Sequence, residues 1–243
     1  MSPCPRPGPG SVERMPRRSP WTCILWDVDG TVVDASDGIL RRLTIALEHF
    51  GRRAPTRAEL VHWIGPPMYD SFQANVGMTP AESAEAVRFY RGLSKADGYT
   101  TGARLFDGVG ELIRDAAAGG IPQATASSKP EVQVVALLDH FDLSSCFSAI
   151  VGATPDERTL SAKADIIAES LRRLDAAGVD IRRPVLVGDR HHDVDGAAEH
   201  GVPVIFVRWG FSWPHESAGA QAAVDTVEEL RALLLLPHAD ADA

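Results

Sequence analysis

The sequence predicts an α/β protein whose core is a parallel sheet between two helical layers, with a block of helices inserted after the first strand. Three observations predict it. From about residue 106 onward, short apolar runs alternate with amphipathic helical stretches, the pattern of a parallel sheet covered on both faces. Between about residues 36 and 100 there is little strand signal. The first apolar run, Ile24-Leu25-Trp26, ends in Asp27-Val28-Asp29-Gly30-Thr31. That places two carboxylates where a strand stops, the end at which an open α/β sheet holds its ligands.

Taken in order, residues 1–20 are rich in Pro, Gly and Arg and are expected to be a disordered tail, with Met15 a possible alternative start. Trp21 to Trp26 reads as a buried strand. Ile39, Leu40, Leu43, Ala46, Leu47 and Phe50 form a helical stripe that Gly51 closes. Thr56 caps a further helix, with Glu59 at the capping-box position. Another helix runs over 80–96 behind Thr79-Pro80. Helices are then expected over 109–118, 130–141, 162–177, 193–200 and 226–236, and strands over 122–126, 147–151, 184–187 and 204–207. This gives a Rossmann-like core over 21–35 and 101–236, a helical insertion over 36–100 and a frayed tail over 237–243.

Strand residues alternate faces, so Asp27 and Asp29 share a side where the chain turns out of the strand. Crowded carboxylates repel unless a cation or a shared proton makes the pair tolerable, although an Asp-rich turn with solvated side chains has the same spelling. Three later segments bear on the choice. Ile121 to Ser127 is a short run ending in Ser, followed by Ser128-Lys129-Pro130. Lys163 opens a helical stretch. Val185-Leu186-Val187 runs into Gly188-Asp189-Arg190-His191-His192-Asp193.

These four segments resemble, in order, the four motifs of the haloacid dehalogenase-like hydrolases: DxDGTxxD, a strand ending in Ser or Thr, a lysine, and GDxxxD. The resemblance covers roughly residues 22 to 210 and implies the same core with an inserted α-helical cap. It implies that Asp27 is a nucleophile phosphorylated in turnover and that Asp29 is the acid/base that protonates the leaving oxygen and then activates water. Ser127 would donate to a phosphate oxygen, and Lys163 would bridge nucleophile and phosphate. Asp27, Asp189, Asp193 and the backbone carbonyl of Asp29 would hold Mg²⁺, a hard cation that prefers oxygen. Thr31 would orient Asp29 by a hydrogen bond, and Thr31, Ser128, Lys129 and Arg190 are the expected substrate contacts.

Each residue also has a plainer reading. Ser127 could cap the helix that begins near Pro130, Lys163 could be a solvated lysine at a helix start, and Asp193 could simply cap its helix. Lys129 could touch substrate or only nearby backbone, and Arg190 could be structural or contact the leaving group. His191 and His192 are expected to be exposed loop residues pointing apart, with no third ligand spaced for a transition metal.

Hydrophobic residues make up 44% and charged residues 23% of the 243, an ordinary globular composition. The net charge of −9 argues against nucleic acid or an anionic membrane as the main partner. No apolar run approaches the ~18 residues that span a bilayer. Cys4, Cys23 and Cys146 are scattered with no CxxC spacing, which fits the cytoplasm. Lysine occurs only at 95, 129 and 163, so two of three fall inside motifs, where a compact ammonium differs from the arginines used elsewhere. The expected partner is a small soluble phosphate ester, with the chain a monomer or homodimer.

Within the family, the second aspartate points to phosphoryl transfer, because a halide leaves without a proton. Ile64-Gly65-Pro66-Pro67-Met68-Tyr69-Asp70-Ser71-Phe72, Ser127-Ser128-Lys129-Pro130, and the Gly188 to Val202 segment with Arg208-Trp209-Gly210-Phe211 resemble the phosphoglycolate phosphatase and 5′-nucleotidase-like branch. A phosphomutase, a pyrophosphatase and a non-catalytic phospho-ligand-binding domain stay open as alternatives.

Overall fold

The computed structural model describes residues 19–156 and 159–236. The expected tail over 237–243, residues 1–18 of the expected N-terminal tail and the alternative start at Met15 lie outside the described residues.

The chain enters through β1 (Cys23–Trp26) and β2 (Val33–Asp34), then passes through α1 (Ser36–His49), α2 (Arg57–Leu60), α3 (Met68–Val76) and α4 (Pro80–Asp97). It returns through β3 (Arg104–Leu105) to α5 (Val109–Ala118), β4 (Gln123–Thr125), β5 (Ser127–Pro130) and α6 (Glu131–His140). It then runs through β6 (Gly152–Ala153), α7 (Lys163–Ala176), β7 (Pro184–Gly188), α8 (His191–Ala198), β8 (Val204–Val207), β9 (Ala222–Val224) and α9 (Val227–Leu235). The main sheet is parallel, in the order β4-β1-β7-β8-β9.

Strand alternation sorts the core into two layers. Ile24, Trp26, Val185, Val187, Ile205 and Val207 point to one face, with Leu112, Leu137 and Leu230 of the covering helices. Cys23, Leu25, Leu186, Val204 and Phe206 point to the other, packed on Ile166, Ile167, Val194 and Ala197 of α7 and α8. Continued past the end of β1, the second set leads to Asp27, so its carboxylate emerges beside α7 and α8. The polar groups inside the first layer are satisfied: Trp26 Nε1 donates to Gln123 Oε1 at 2.9 Å, and Gln123 Nε2 donates to the Ile113 and Cys146 carbonyls.

The predicted capping box at Thr56 is present, with the Glu59 N–H and carboxylate exchanging bonds with Thr56, but α2 lasts one turn before a 3₁₀ turn over Val61–Trp63. Thr79 and Glu82 form a second box, with Pro80 opening α4. Pro67 stands at the start of α3, a helix the sequence did not reveal, after Gly65 at φ +118°.

The strand expected over 147–151 is not regular. It makes one bridge, Ala149 to Ala124, before β6 pairs with β5. The interruption has a local cause. The Thr125 hydroxyl accepts the Val151 N–H at 2.7 Å in place of a backbone carbonyl and donates to the Val151 carbonyl at 2.9 Å, which also accepts the Ser127 N–H at 3.4 Å. Two short elements also went unpredicted: edge strand β9, and the antiparallel ribbon β2–β3, along which the chain leaves for α1 and returns after α4. Asp34 fastens that ribbon, accepting the Ser36 N–H at 2.9 Å and pairing with Arg104.

Candidate active site

Asp27 is placed by its N–H donating to the Val187 carbonyl at 2.9 Å, one step beyond the β1–β7 ladder. The chain then doubles back: the N–H groups of Val32 and Val33 both donate to the Val28 carbonyl, at 2.9 and 2.8 Å. Gly30 makes this turn possible. Its φ is +91°, and a Cβ there would collide with the Asp189 carboxylate. Asp189, fully buried at the end of β7, is fixed by two donors, the Thr31 hydroxyl at 3.2 Å and the Phe211 N–H at 2.7 Å. The expectation that Thr31 orients Asp29 is thus corrected, because its hydroxyl is spent on Asp189.

Lys163, the first residue of α7, reaches three acceptors with its three ammonium protons: Asp27 Oδ1 at 2.8 Å, Asp193 Oδ1 at 2.7 Å and the Ala126 carbonyl at 2.9 Å. Gly196 lets α8 come this close, since a Cβ there would sit 2.9 Å from Lys163 Cγ. Burial alone would favour the neutral amine, but the Asp193 and Asp27 carboxylates outweigh it and hold the lysine above its ordinary pKa.

Asp27, Asp189 and Asp193 each bring a carboxylate oxygen within 4.8 Å of the others, and all three are buried. Burial pushes Asp27 up to about 6, with Lys163 opposing and Asp193 and Asp29 adding to the rise. Asp189 is pushed well above the ordinary range by burial and by Asp27 and Asp193, against the Phe211 N–H. Three buried carboxylates against one lysine leave negative charge to neutralise. An all-oxygen donor set of this kind fits a hard divalent cation such as Mg²⁺.

Gly210 closes the wall behind Asp189, and a Cβ there would strike the same carboxylate. Gly210→Ala is therefore expected to weaken Mg²⁺ binding about 10- to 100-fold, the typical effect of disturbing what holds a metal ligand. Calorimetric titration with Mg²⁺ checks this, and unchanged affinity with unchanged circular dichroism would count against it.

Asp29 stands apart from this cluster. Its Oδ2 pairs with Lys129 Nζ at 2.7 Å, while its buried Oδ1 has no hydrogen-bond partner among the described residues. Lys129 therefore does more than touch nearby backbone: it anchors Asp29. The Ser127 hydroxyl accepts the Lys129 N–H at 3.3 Å, a local turn that shapes this loop. Asp29, Ser128 and Lys129 line a crevice closed from the helical side by Gly65, Pro66 and Tyr90.

Arg190 is corrected from substrate contact to brace. Its side chain is buried, with Nε donating to Glu216 Oε2 at 2.8 Å and Nη1 donating to the His62 carbonyl at 3.2 Å and to that of Ile64. It ties the turn before α3 to the β7–α8 junction that carries Asp189 and, in the first turn of α8, Asp193, and its own N–H donates to Asp193 Oδ2 at 3.0 Å. Gly65 gives it room, since a Cβ there would lie 2.9 Å from Arg190 Cγ. Glu216 completes the brace and was not found by sequence reasoning. It lies in a loop without periodicity, and nothing in Trp213-Pro214-His215-Glu216 signals a distant arginine. Burial would raise its pKa, but Arg190 and the N–H groups of His191 and Trp213 outweigh that and hold it at about 2. The two histidines do not point apart. Their rings lie 3.8 Å centroid to centroid at the start of α8, with His191 Nδ1 3.0 Å from Glu216 Oε2. His192 is held at about 4 by burial, then by His191 and Arg190.

Among known proteins, the family described as haloacid dehalogenase-like hydrolase matches residues 24–207. The chain is 38% identical, over 189 residues and 77% of its length, to a Mycobacterium tuberculosis protein named tyrosine-protein kinase PtkA, and the match spans only 62% of that relative. It is 36% identical over 188 residues to a 5′-nucleotidase from Pseudomonas aeruginosa, covering 77% of this chain and 83% of that one. The fold is similar to the crystal structure of a predicted phosphatase from Clostridium acetobutylicum, with a TM-score of 0.80 and 31% identity over 87% of this chain and 96% of that one.

Proposed function

This chain belongs to the haloacid dehalogenase-like hydrolases, and from that premise we propose that it is a Mg²⁺-dependent phosphatase of small phosphate monoesters, working through an aspartyl-phosphate on Asp27. The observation that carries the reading is the buried convergence of Asp27, Asp189 and Asp193 on Lys163, next to the separately anchored Asp29.

Asp27 supplies the attacking carboxylate oxygen. Lys163 holds it through Oδ1, and in turnover shares its ammonium with the incoming phosphate, offsetting like-charge repulsion. Asp29 gives a proton to the departing alcohol and takes one from the water that cleaves the acyl-phosphate. Lys129 keeps that carboxylate aimed into the crevice. Ser127 and Ser128 contribute hydroxyls around the phosphate, while the Thr31 hydroxyl holds Asp189. Asp27, Asp189, Asp193 and the Asp29 carbonyl would hold Mg²⁺, which supplies charge neutralisation and polarisation of phosphoryl oxygens. Residues 36–100 act as the cap that shields the acyl-phosphate from bulk water. Among the described residues, no helix is long and apolar enough to cross a membrane.

The relative named a tyrosine-protein kinase favours one second reading: transfer of the phosphoryl group to a hydroxyl acceptor instead of water. Phosphate release over a panel of glycolate, nucleoside and sugar phosphates, with Mg²⁺ and with chelator, tests the leading one. Mg²⁺-dependent release supports it. Label that leaves a phosphoryl donor only when a tyrosine-bearing protein is present overturns it in favour of the second.

A further inference from the structure

The loop from Trp209 to Glu216 joins the carboxylate cluster to the helical insertion, and Phe211 bears both ends of the connection. Its N–H donates to Asp189 Oδ2 at 2.7 Å, and its carbonyl lies 3.0 Å from Nδ1 of His62, in the 3₁₀ turn of the insertion. A carbonyl can only accept, so Nδ1 carries the proton and donates. The Phe211 side chain is buried in the first core layer and fixes the residue between its two partners. At the Asp189 end, the other donor among the described residues is the Thr31 hydroxyl, at a longer 3.2 Å. The Phe211 N–H therefore sets much of where that carboxylate points.

The His62 end is held from two sides. The Trp213 ring stacks on the imidazole, 3.5 Å centroid to centroid and 17° from parallel. Trp213 is 48% exposed, a large apolar side chain at the surface whose inner face covers the imidazole. Its N–H donates to Glu216 Oε1 at 3.1 Å, and Glu216 in turn holds Arg190, which donates to the His62 and Ile64 carbonyls. The two grips lead to different carboxylates. Arg190 reaches Asp193 through its own N–H, whereas the His62 side chain reaches Asp189 through Phe211.

We propose that His62 is a positioning residue for the metal site: docked against Phe211, it keeps the Phe211 N–H on Asp189, so that seating of the insertion and Mg²⁺ binding strengthen each other. This rests on the Mg²⁺ reading above and adds the coupling of that site to the insertion. Such coupling is reciprocal: by whatever factor docked His62 raises Mg²⁺ affinity, Mg²⁺ raises the hold on residues 61–65. Loss of a group that orients a metal ligand typically weakens binding about 10- to 100-fold. His62 acts through one further residue, so the lower end, about tenfold, is expected.

The test uses the whole chain and Mg²⁺ alone. His62→Phe keeps a ring to stack on Trp213 and removes the donor, while His62→Asn gives up the ring and offers an amide N–H near the place of Nδ1. In calorimetric titration His62→Phe should bind Mg²⁺ about tenfold more weakly, and His62→Asn should recover part of that loss. Hydrogen exchange reads the reciprocal effect, and its wild-type arm needs no variant: Mg²⁺ should slow exchange over 61–65 in the wild type and much less in His62→Phe. Wild-type Mg²⁺ affinity in His62→Phe, a His62→Asn protein as weak as His62→Phe, or wild-type exchange over 61–65 indifferent to Mg²⁺ overturns the coupling and leaves the phosphatase reading standing. No Mg²⁺ binding by the wild type overturns both.

Discussion

Asp27→Asn is expected to lower turnover at least about ten-thousandfold while leaving the fold in place, because an amide of the same shape cannot supply the attacking oxygen. The environment makes the substitution informative. Asp27 is 4% exposed, and its carboxylate is disfavoured by burial and by Asp193, with Lys163 the opposing cation. Removing the charge leaves Lys163 with Asp193 and the Ala126 carbonyl, so the ammonium remains paired. It also relieves repulsion on Asp189. The two effects oppose each other, and the melting temperature is expected to move by only a few degrees. Phosphate release under single-turnover conditions, beside a thermal melt, is the measurement. A folded Asp27→Asn protein that keeps wild-type turnover refutes the nucleophile assignment.

The fold class and the convergence of distant segments were legible because both follow from local rules. Apolar runs of strand length, each followed by a helical period, dictate a parallel sheet, and the ends of parallel strands share one rim. This is why Asp27 and Asp189 could be expected together from their positions after strands, whereas Lys163 joined them only through the resemblance to the family's motifs. Side-chain pairing was much less legible. Thr31 bonds Asp189 across 158 residues instead of its neighbour Asp29, and Arg190 turns to Glu216 and the His62 and Ile64 carbonyls. Such choices depend on the path of two chain segments in space, which no short-range period encodes. The glycines show the same limit. Gly30 reads as a turn residue, but that Gly30 and Gly210 together clear the space of one carboxylate is visible only when the loops are assembled. Where the sequence misled, over 147–151, one threonine hydroxyl took the Val151 N–H from the backbone ladder, and β propensity carries no record of that.

Mg²⁺ is expected to raise the melting temperature by about 5–10 °C at neutral pH and by almost nothing near pH 4. At about a hundredfold over its dissociation constant, a ligand of the native state adds about 2.7 kcal/mol, and a domain of this size gains about 2–4 °C per kcal/mol. The pH dependence follows from Asp27 and Asp189. Without a cation, burial and mutual repulsion raise Asp27 from 3.8 to about 6 and Asp189 in the same direction. Between those values the folded protein holds more protons than the unfolded chain, so these two groups destabilise the metal-free protein progressively as pH rises through the folded pKa. Mg²⁺ needs the same carboxylates ionised, so protons compete with it below that range and cease to compete above it. Absolute melting temperatures mix in other groups. His192, held near 4, favours the fold increasingly as pH rises toward 6.5, and Glu216, held near 2, loses its contribution only below about 4.5. Glu216 lies outside the carboxylate cluster and enters the curves with Mg²⁺ and with chelator alike, whereas His192 senses Asp193 and Lys163, so the difference between the two curves reports the carboxylate cluster with a smaller part from His192. A Mg²⁺-induced shift of constant size from pH 4.5 to 7.5 would mean that the ion binds elsewhere. In Asp27→Asn the shift should be smaller and its pH dependence shallower, since one of the two competing protons has been removed.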